Sequence, residues 1–142
     1  MRKLSFLFAA VVMLSLSLSS CKKDDLQADA VSTTLKTGTW KISNYNDSGT
    51  DQTNDFTGHT FIFSADGSAW AISGSDSTAG TWSTVDSDDD NTAHLNLNFG
   101  TLSPLDELEG DWHVTEQSAT VIALEDVSGG NGGIDLLTFT QE

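Results

Sequence analysis

The sequence predicts an all-β protein, an eight-stranded antiparallel up-and-down barrel. Short apolar runs recur along the chain with Gly, Ser, Thr, Asp and Asn between them, and one proline stands among 142 residues. Turn signals about every 8 to 12 residues are the mark of an all-β chain. Within the runs apolar and polar residues alternate, which gives each strand a core face and a solvent face. The connections are mostly short, as suits consecutive strands that pair in order and close on themselves, leaving no exposed edge. A two-sheet sandwich has a similar strand count, and periodicity does not separate it from a barrel. A barrel of this size is either filled by side chains or just wide enough for one small ligand.

The first strand runs from Thr37 to Asn46, with Trp40 and Ile42 on one face against Lys41 and Ser43. Phe56 to Ser64 follows, with Phe61 and Phe63 sharing a side, and Asp66-Gly67 then turns the chain. Glycine accepts the positive φ that a tight hairpin needs. Ser68 to Ser73 returns with Trp70 and Ile72 on a common face, and Gly80 to Val85 carries Trp82. His94 to Phe99 has the cleanest alternation: Leu95, Leu97 and Phe99 inward, His94, Asn96 and Asn98 outward. Leu102 to Leu108 is spaced for one or two helical turns. Asp111 to Glu116 pairs Trp112 with Val114 on one face, and Thr120 to Leu124 pairs Ile122 with Leu124. After Gly129-Gly130-Asn131-Gly132-Gly133, Ile134 to Thr140 closes with Leu137 and Phe139. Trp40 and Trp82 read as core plugs, since each indole buries about 150–250 Å². Trp70 and Trp112 fit either a core position or a cavity mouth.

Ahead of the strands stands an export signal. Arg2 and Lys3 precede an apolar and small-residue run from Leu4 to Leu18, shorter than the about 20 residues a membrane span needs. Leu18-Ser19-Ser20-Cys21 resembles the bacterial lipobox. That resemblance implies cleavage before Cys21 and a diacylglyceryl thioether and amide-linked acyl chain on it, which also accounts for a lone cysteine in an exported chain. Burial of acyl chains contributes about 0.8 kcal/mol per methylene, so several chains hold a small domain on a membrane. Residues 1–20 are therefore expected to be a lipoprotein signal peptide, 21–36 a flexible polar tether, and 37–142 the barrel domain. Lys22-Lys23-Asp24-Asp25 resembles the short tag that routes lipoproteins to the outer face of the outer membrane in certain Gram-negative bacteria. A surface-exposed outer-membrane lipoprotein is the expectation; a plain solvated tether is the other reading of those residues.

The chain carries 21 acidic against 6 basic residues, a net charge of −15. Cleavage before Cys21 would remove Arg2 and Lys3, and no Lys or Arg follows Lys41. Phosphate neutralisation requires Lys and Arg, so a nucleic-acid partner is excluded. Polyanionic substrates would meet a repelling field, and solubility at a wet surface is the plain reading of the charge.

Several pieces, in order, resemble the small lipocalin-like lipoproteins of Gram-negative bacteria. These are Gly38-Thr39-Trp40 at the first strand, Thr60-Phe61-Ile62-Phe63 before Asp66-Gly67-Ser68, and Gly80-Thr81-Trp82-Ser83. Leu105 and Leu108 then precede Asp111-Trp112-His113-Val114 and Thr120-Val121-Ile122-Ala123-Leu124. The likeness spans about residues 37 to 126. It implies a small calyx-type barrel with an apolar cavity and no agreed biochemical activity. A lipocalin barrel is usually followed by a long helix, whereas the last segment here reads as a strand.

No constellation supports catalysis, and no cofactor or metal is expected. Asp86-Ser87-Asp88-Asp89-Asp90-Asn91 places acids at the first, third and fifth positions of a calcium loop. An EF-hand also requires Gly at the sixth and Glu at the twelfth, where Asn91 and Leu97 stand. A weak Ca²⁺ site on this hairpin loop stays open beside the plainer reading of a solvated loop. His59, His94 and His113 are far apart, without the close pairing typical of zinc ligands, and read as separate surface or strand-face residues. Asp106-Glu107 and Glu125-Asp126 read as solvated acids, and no Gly-x-Ser-x-Gly elbow links a strand to a helix. The expected function is a lipid-anchored barrel that binds or carries a small hydrophobic ligand. The alternative is a surface protein–protein or glycan interaction module with a side-chain-filled barrel. An enzyme ranks third, and convergence of His94, His113 and two carboxylates would revive it.

Overall fold

The computed structural model describes residues 27–127 and 132–142. The signal segment, Cys21 and the charged tag behind it lie outside these residues. Helix α1 spans Ala28–Leu35 and precedes nine strands. These are β1 Trp40–Asp47, β2 Thr50–Asp51, β3 His59–Phe63, β4 Ser68–Ser73 and β5 Asp76–Asp86. β6 Ala93–Asn98, β7 Gly110–Gln117, β8 Val121–Val127 and β9 Ile134–Gln141 complete the set. Two single-turn 3₁₀ helices, Thr53–Phe56 and Leu105–Leu108, sit in connections.

The strands form one antiparallel sheet in the order β2-β1-β3-β4-β5-β6-β7-β8-β9, and β1 also pairs with β9. The sheet therefore closes into the expected eight-stranded barrel, with β2 as an extra two-residue strand, and the sandwich is excluded. The seam is uneven. β1 pairs with β9 from Trp40↔Gln141 to Asn46↔Leu136, but meets β3 only at Trp40↔Phe61. Its far end pairs with β2 instead.

Strand limits depart from the expected ones by up to four residues: β1 begins three residues later, at Trp40, β8 runs three further, to Val127, and β3 and β5 shift for plain physical reasons. β5 begins at Asp76, because Asp76–Ala79 pairs with β4 while exposing most of its side chains, leaving no apolar alternation to read. β3 begins at His59, because Thr53–Phe56 is a 3₁₀ turn. On β4 the expected core face of Trp70 and Ile72 is corrected. Ala69 and Ala71 point inward and Trp70 is 40% exposed. Phe61 and Phe63 stand directly opposite Ala71 and Ala69, and the large rings leave only alanine-sized room beside them. Gly80 extends the same logic. A Cβ there would lie 2.5 Å from both Asn98 O and the Phe99 ring, so its bareness is what seats Phe99.

The interior is aromatic. Phe61 meets Phe139 and Phe99 edge-on at centroid distances of 5.4 and 5.8 Å. Phe63 does the same with Phe139 and Trp82, at 5.5 Å each. Such T-shaped pairs are the favoured geometry of quadrupolar rings. Trp40, Trp82 and Trp112 are all buried.

The expectation of a flexible spacer up to residue 36 is corrected by α1. Ala28, Val31 and Leu35 recur at helical spacing, and all three are buried. An eight-residue helix is marginal in isolation, so packing across the barrel mouth is what stabilises it. Ala28 N–H donates to Asp86 Oδ1 (2.7 Å), Gln117 Nε2 donates to Thr34 Oγ1 (2.9 Å), and Trp40 Nε1 donates to Leu35 O (3.0 Å). The folded unit thus includes α1, ahead of the expected boundary at residue 37.

The opposite mouth is covered by the Leu105–Leu108 turn, whose two leucines are buried. Trp112 Nε1 donates to Leu108 O (3.0 Å), and Tyr45 Oη donates to Glu107 O (3.3 Å). Burial, with the nearby Glu107 and Asp135 carboxylates, pushes the Tyr45 phenol well above its ordinary pKa.

Candidate functional site

The expected apolar cavity is not what this barrel contains. A lumen wide enough for a ligand would leave its walls accessible to a water-sized sphere. Trp40, Phe61, Leu95, Leu108, Ile122, Leu137 and Phe139 are instead 0% accessible. Side chains fill the space between the strands, and a capping segment covers each mouth. Apolar groups face in and polar groups face out, the reverse of a lipid-facing barrel.

Concavity is found on the outside. A solvent-open groove of about 470 Å³ runs over β5, β6 and the start of β7, lined by Thr81, Ser83, Asn96, Asn98 and Glu109. Asn98 Nδ2 donates to Glu109 Oε1 across it (3.2 Å). The outward alternation of β6 continues from Asn98 through Asn96 to His94, and that of β7 from Glu109 through Asp111 to His113.

At the end of these rows the histidines converge. β6–β7 pairing sets His94 directly opposite His113, and their rings lie 4.1 Å apart between centroids. The expectation of separate histidines is thus corrected for this pair. His94 Nδ1 is 3.0 Å from Asp111 Oδ1, and His94 Nε2 is 3.1 Å from Asp90 Oδ2. His113 Nδ1 lies 3.0 Å from the same Asp90 oxygen. His94 is outward by alternation yet only 9% exposed, because the β5–β6 loop folds over it.

Local chain chemistry aims that loop. Ser87 N–H donates to Thr92 O (2.9 Å), closing the turn. Asp90 Oδ1 accepts from Thr92 N–H (3.1 Å) and from Thr92 Oγ1 (2.8 Å), so the second carboxylate oxygen is turned toward the imidazoles. Asn91 has φ 57°, a left-handed conformation that Asn tolerates better than most residues.

These bonds fix the charges. The Thr92 hydroxyl foremost, with His94 and the Thr92 amide, outweighs partial desolvation and holds the Asp90 carboxyl well below its usual range. Burial disfavours charge on His94, but hydrogen bonds and attraction from Asp111 and Asp90 outweigh it and raise its pKa. Hydrogen bonds from both ring nitrogens to carboxylate oxygens favour the protonated ring.

His94, His113 and two carboxylates thus converge, the arrangement on which the enzyme reading depends, and the remaining candidates do not join them. His59 lies on β3, stacked on Phe61 at 6.2 Å. Asp106 and Glu107 lie in the 3₁₀ turn of the far mouth, and Glu125 and Asp126 are successive on β8, hence on opposite faces. Within the 86–91 loop, Asp86 and Asp90 are both engaged by protein donors. Cys21 lies outside the described residues.

No protein-family model matches the chain, and no curated protein matches it. Among solved structures it is similar to a DUF4847 family protein from Bacteroides vulgatus ATCC 8482. The TM-score is 0.51 and the identity 17%, over 79% of this chain and 97% of that one. Likeness at that identity shows the fold alone. It supports a closed barrel and names neither a lipocalin nor a lipoprotein.

Proposed function

We propose that the chain is a lipid-anchored envelope protein whose solid barrel binds through its exterior, an interaction module and not a carrier. The filled interior is the observation that carries this reading, because a carrier needs a volume from which side chains are absent. The lipobox-like Leu18-Ser19-Ser20-Cys21 supports the anchor. The groove over β5–β7, lined by Asn, Ser and Thr above Trp82 and Leu97, is one concave surface that offers hydrogen-bonding groups to a polar partner.

Two measurements test the two halves. Native mass spectrometry of the detergent-solubilised full chain is expected to give the acylated polypeptide without a bound small molecule. A stoichiometric apolar passenger would return the carrier reading. Fractionation of Cys21→Ser is expected to move the protein out of the membrane pellet, and retention there would remove the anchor.

A further inference from the structure

We infer that Asp90, His94 and His113 form a binding site for a divalent transition ion such as Zn²⁺, with Asp111 as the positioning residue behind His94. One donor atom from each of the three lies within 4.8 Å of the others. Tetrahedral zinc with bonds of about 2.0–2.1 Å sets its donors about 3.3 Å apart. Asp90 Oδ2 already stands 3.1 and 3.0 Å from the two imidazole nitrogens, close to that spacing on two of the three edges.

The donor set selects the class. Two imidazoles and one carboxylate suit borderline first-row ions, whereas Ca²⁺ and Mg²⁺ take all-oxygen shells. The metal would replace the proton on His94 Nε2, while Nδ1–H keeps its bond to Asp111. A carboxylate–histidine–metal chain of this kind fixes ring orientation and raises ligand basicity. The backing residue distinguishes the cluster from an incidental surface ion pair. His94 is nearly buried between its two carboxylates, while His113 is partly exposed and gives the ion a way in. The strongly acidic chain adds a field that concentrates cations. Three protein donors leave one position of a tetrahedral ion to water or to an outside donor. The inference stands whether or not the anchor does.

The test is calorimetric titration of the metal-stripped full chain with Zn²⁺, alongside Ca²⁺ and Mg²⁺. One saturable Zn²⁺ equivalent is expected, with Ca²⁺ and Mg²⁺ far weaker. Asp111→Asn should weaken Zn²⁺ binding about 10- to 100-fold, His113→Gln by at least as much, and His59→Gln not at all. His113→Gln is the informative ligand variant because the ring is partly exposed and its loss leaves the barrel folded, as circular dichroism will verify. Zinc-induced NMR shifts should appear in the His94 and His113 imidazoles and spare His59. Absence of saturable Zn²⁺ binding, retention of full affinity in His113→Gln, or equal binding of Ca²⁺ would each overturn the assignment.

Discussion

The two mouths of the barrel are closed by the same device in different hands. At one, Trp40 donates its indole N–H to Leu35 O; at the other, Trp112 donates to Leu108 O, both at 3.0 Å. In each case an indole fills the mouth and its one polar atom is satisfied by the segment lying over it, as a buried tryptophan requires. The covering segments differ. Leu105–Leu108 is tied at both ends into β6 and β7, so it cannot leave without unpairing the barrel. Helix α1 is tied at one end only among the described residues, and is held by three buried side chains and a few hydrogen bonds. One mouth is covered from within the strand ladder and the other by a helix whose three buried side chains join the barrel core, so the expectation to test is that this helix, the lid, opens before the strands part.

The largest effects should come from the plugs. Trp40→Ala and Trp112→Ala are each expected to cost about 3–5 kcal/mol, read from denaturant unfolding of the full chain. They should differ in hydrogen exchange. Trp40→Ala should strip protection from the α1 amides, whereas Trp112→Ala should leave α1 protected until global unfolding. Equal loss of α1 protection in both variants would erase the contrast between the mouths. Truncating the leucines sharpens the point. Leu108→Ala should lose about 2–5 kcal/mol of global stability, while Leu35→Ala should fall at the low end of that range, because α1 can open while the strands stay paired. A greater global loss for Leu35→Ala would mean that α1 unfolds only together with the strands.

A smaller effect isolates the start of α1. Asp86 Oδ1 accepts the Ala28 N–H, placing a carboxylate at a helix N-terminus, where the peptide dipoles favour negative charge. Asp86→Asn keeps an acceptor and removes the charge. It should cost about 0.3–1 kcal/mol, seen as faster exchange in α1 with unchanged exchange near Leu108. An effect near Leu108 would mean that α1 and the barrel do not open separately.

The strands were legible because alternation is a local signal, and the closure because eight such strands in series favour it. What was hidden depended on partners. The inward face of β4 could not be read from Trp70 and Ile72, because Phe61 and Phe63 on the next strand decide that only alanines fit. The lid was hidden because Ala28, Val31 and Leu35 are few among polar neighbours, and their value appears only against the barrel mouth. The His94–His113 pair was hidden because metal-ligand spacing is sought along the chain, whereas these residues meet across a ladder. A signal did exist. His94 and His113 stand the same number of residues either side of the Ser103–Pro104 bond, and a symmetric hairpin would have set them opposite each other. Asp90, four residues ahead of His94, was read only as part of an acidic loop.

The smallest expected effect puts the two mouths on equal terms. Leaving aside Asp90, which also faces the histidines, one turn carboxylate at each mouth makes the same bonds. On the β2 side Asp51 accepts from Thr53 Oγ1 at 2.7 Å and Thr53 N–H at 3.0 Å. In the β3–β4 turn Asp66 accepts from Ser68 Oγ at 2.6 Å and Ser68 N–H at 2.9 Å. In both the side-chain hydroxyl foremost, then the amide, holds the carboxyl below its ordinary pKa. A folded-state pKa below the unfolded value of about 3.9 stabilises the fold above that value. The contribution is lost as pH falls from there through the folded pKa. Both groups are solvent-exposed, so the effect is small. Asp51→Asn and Asp66→Asn should each flatten the acid limb of the stability–pH profile below about pH 4 by slightly lowering the neutral plateau. Their flattening should match, because these turns lie in the barrel wall and neither belongs to the lid. An acid limb that responds to Asp66 alone would place the turn nearer α1 under the control of the hinged end.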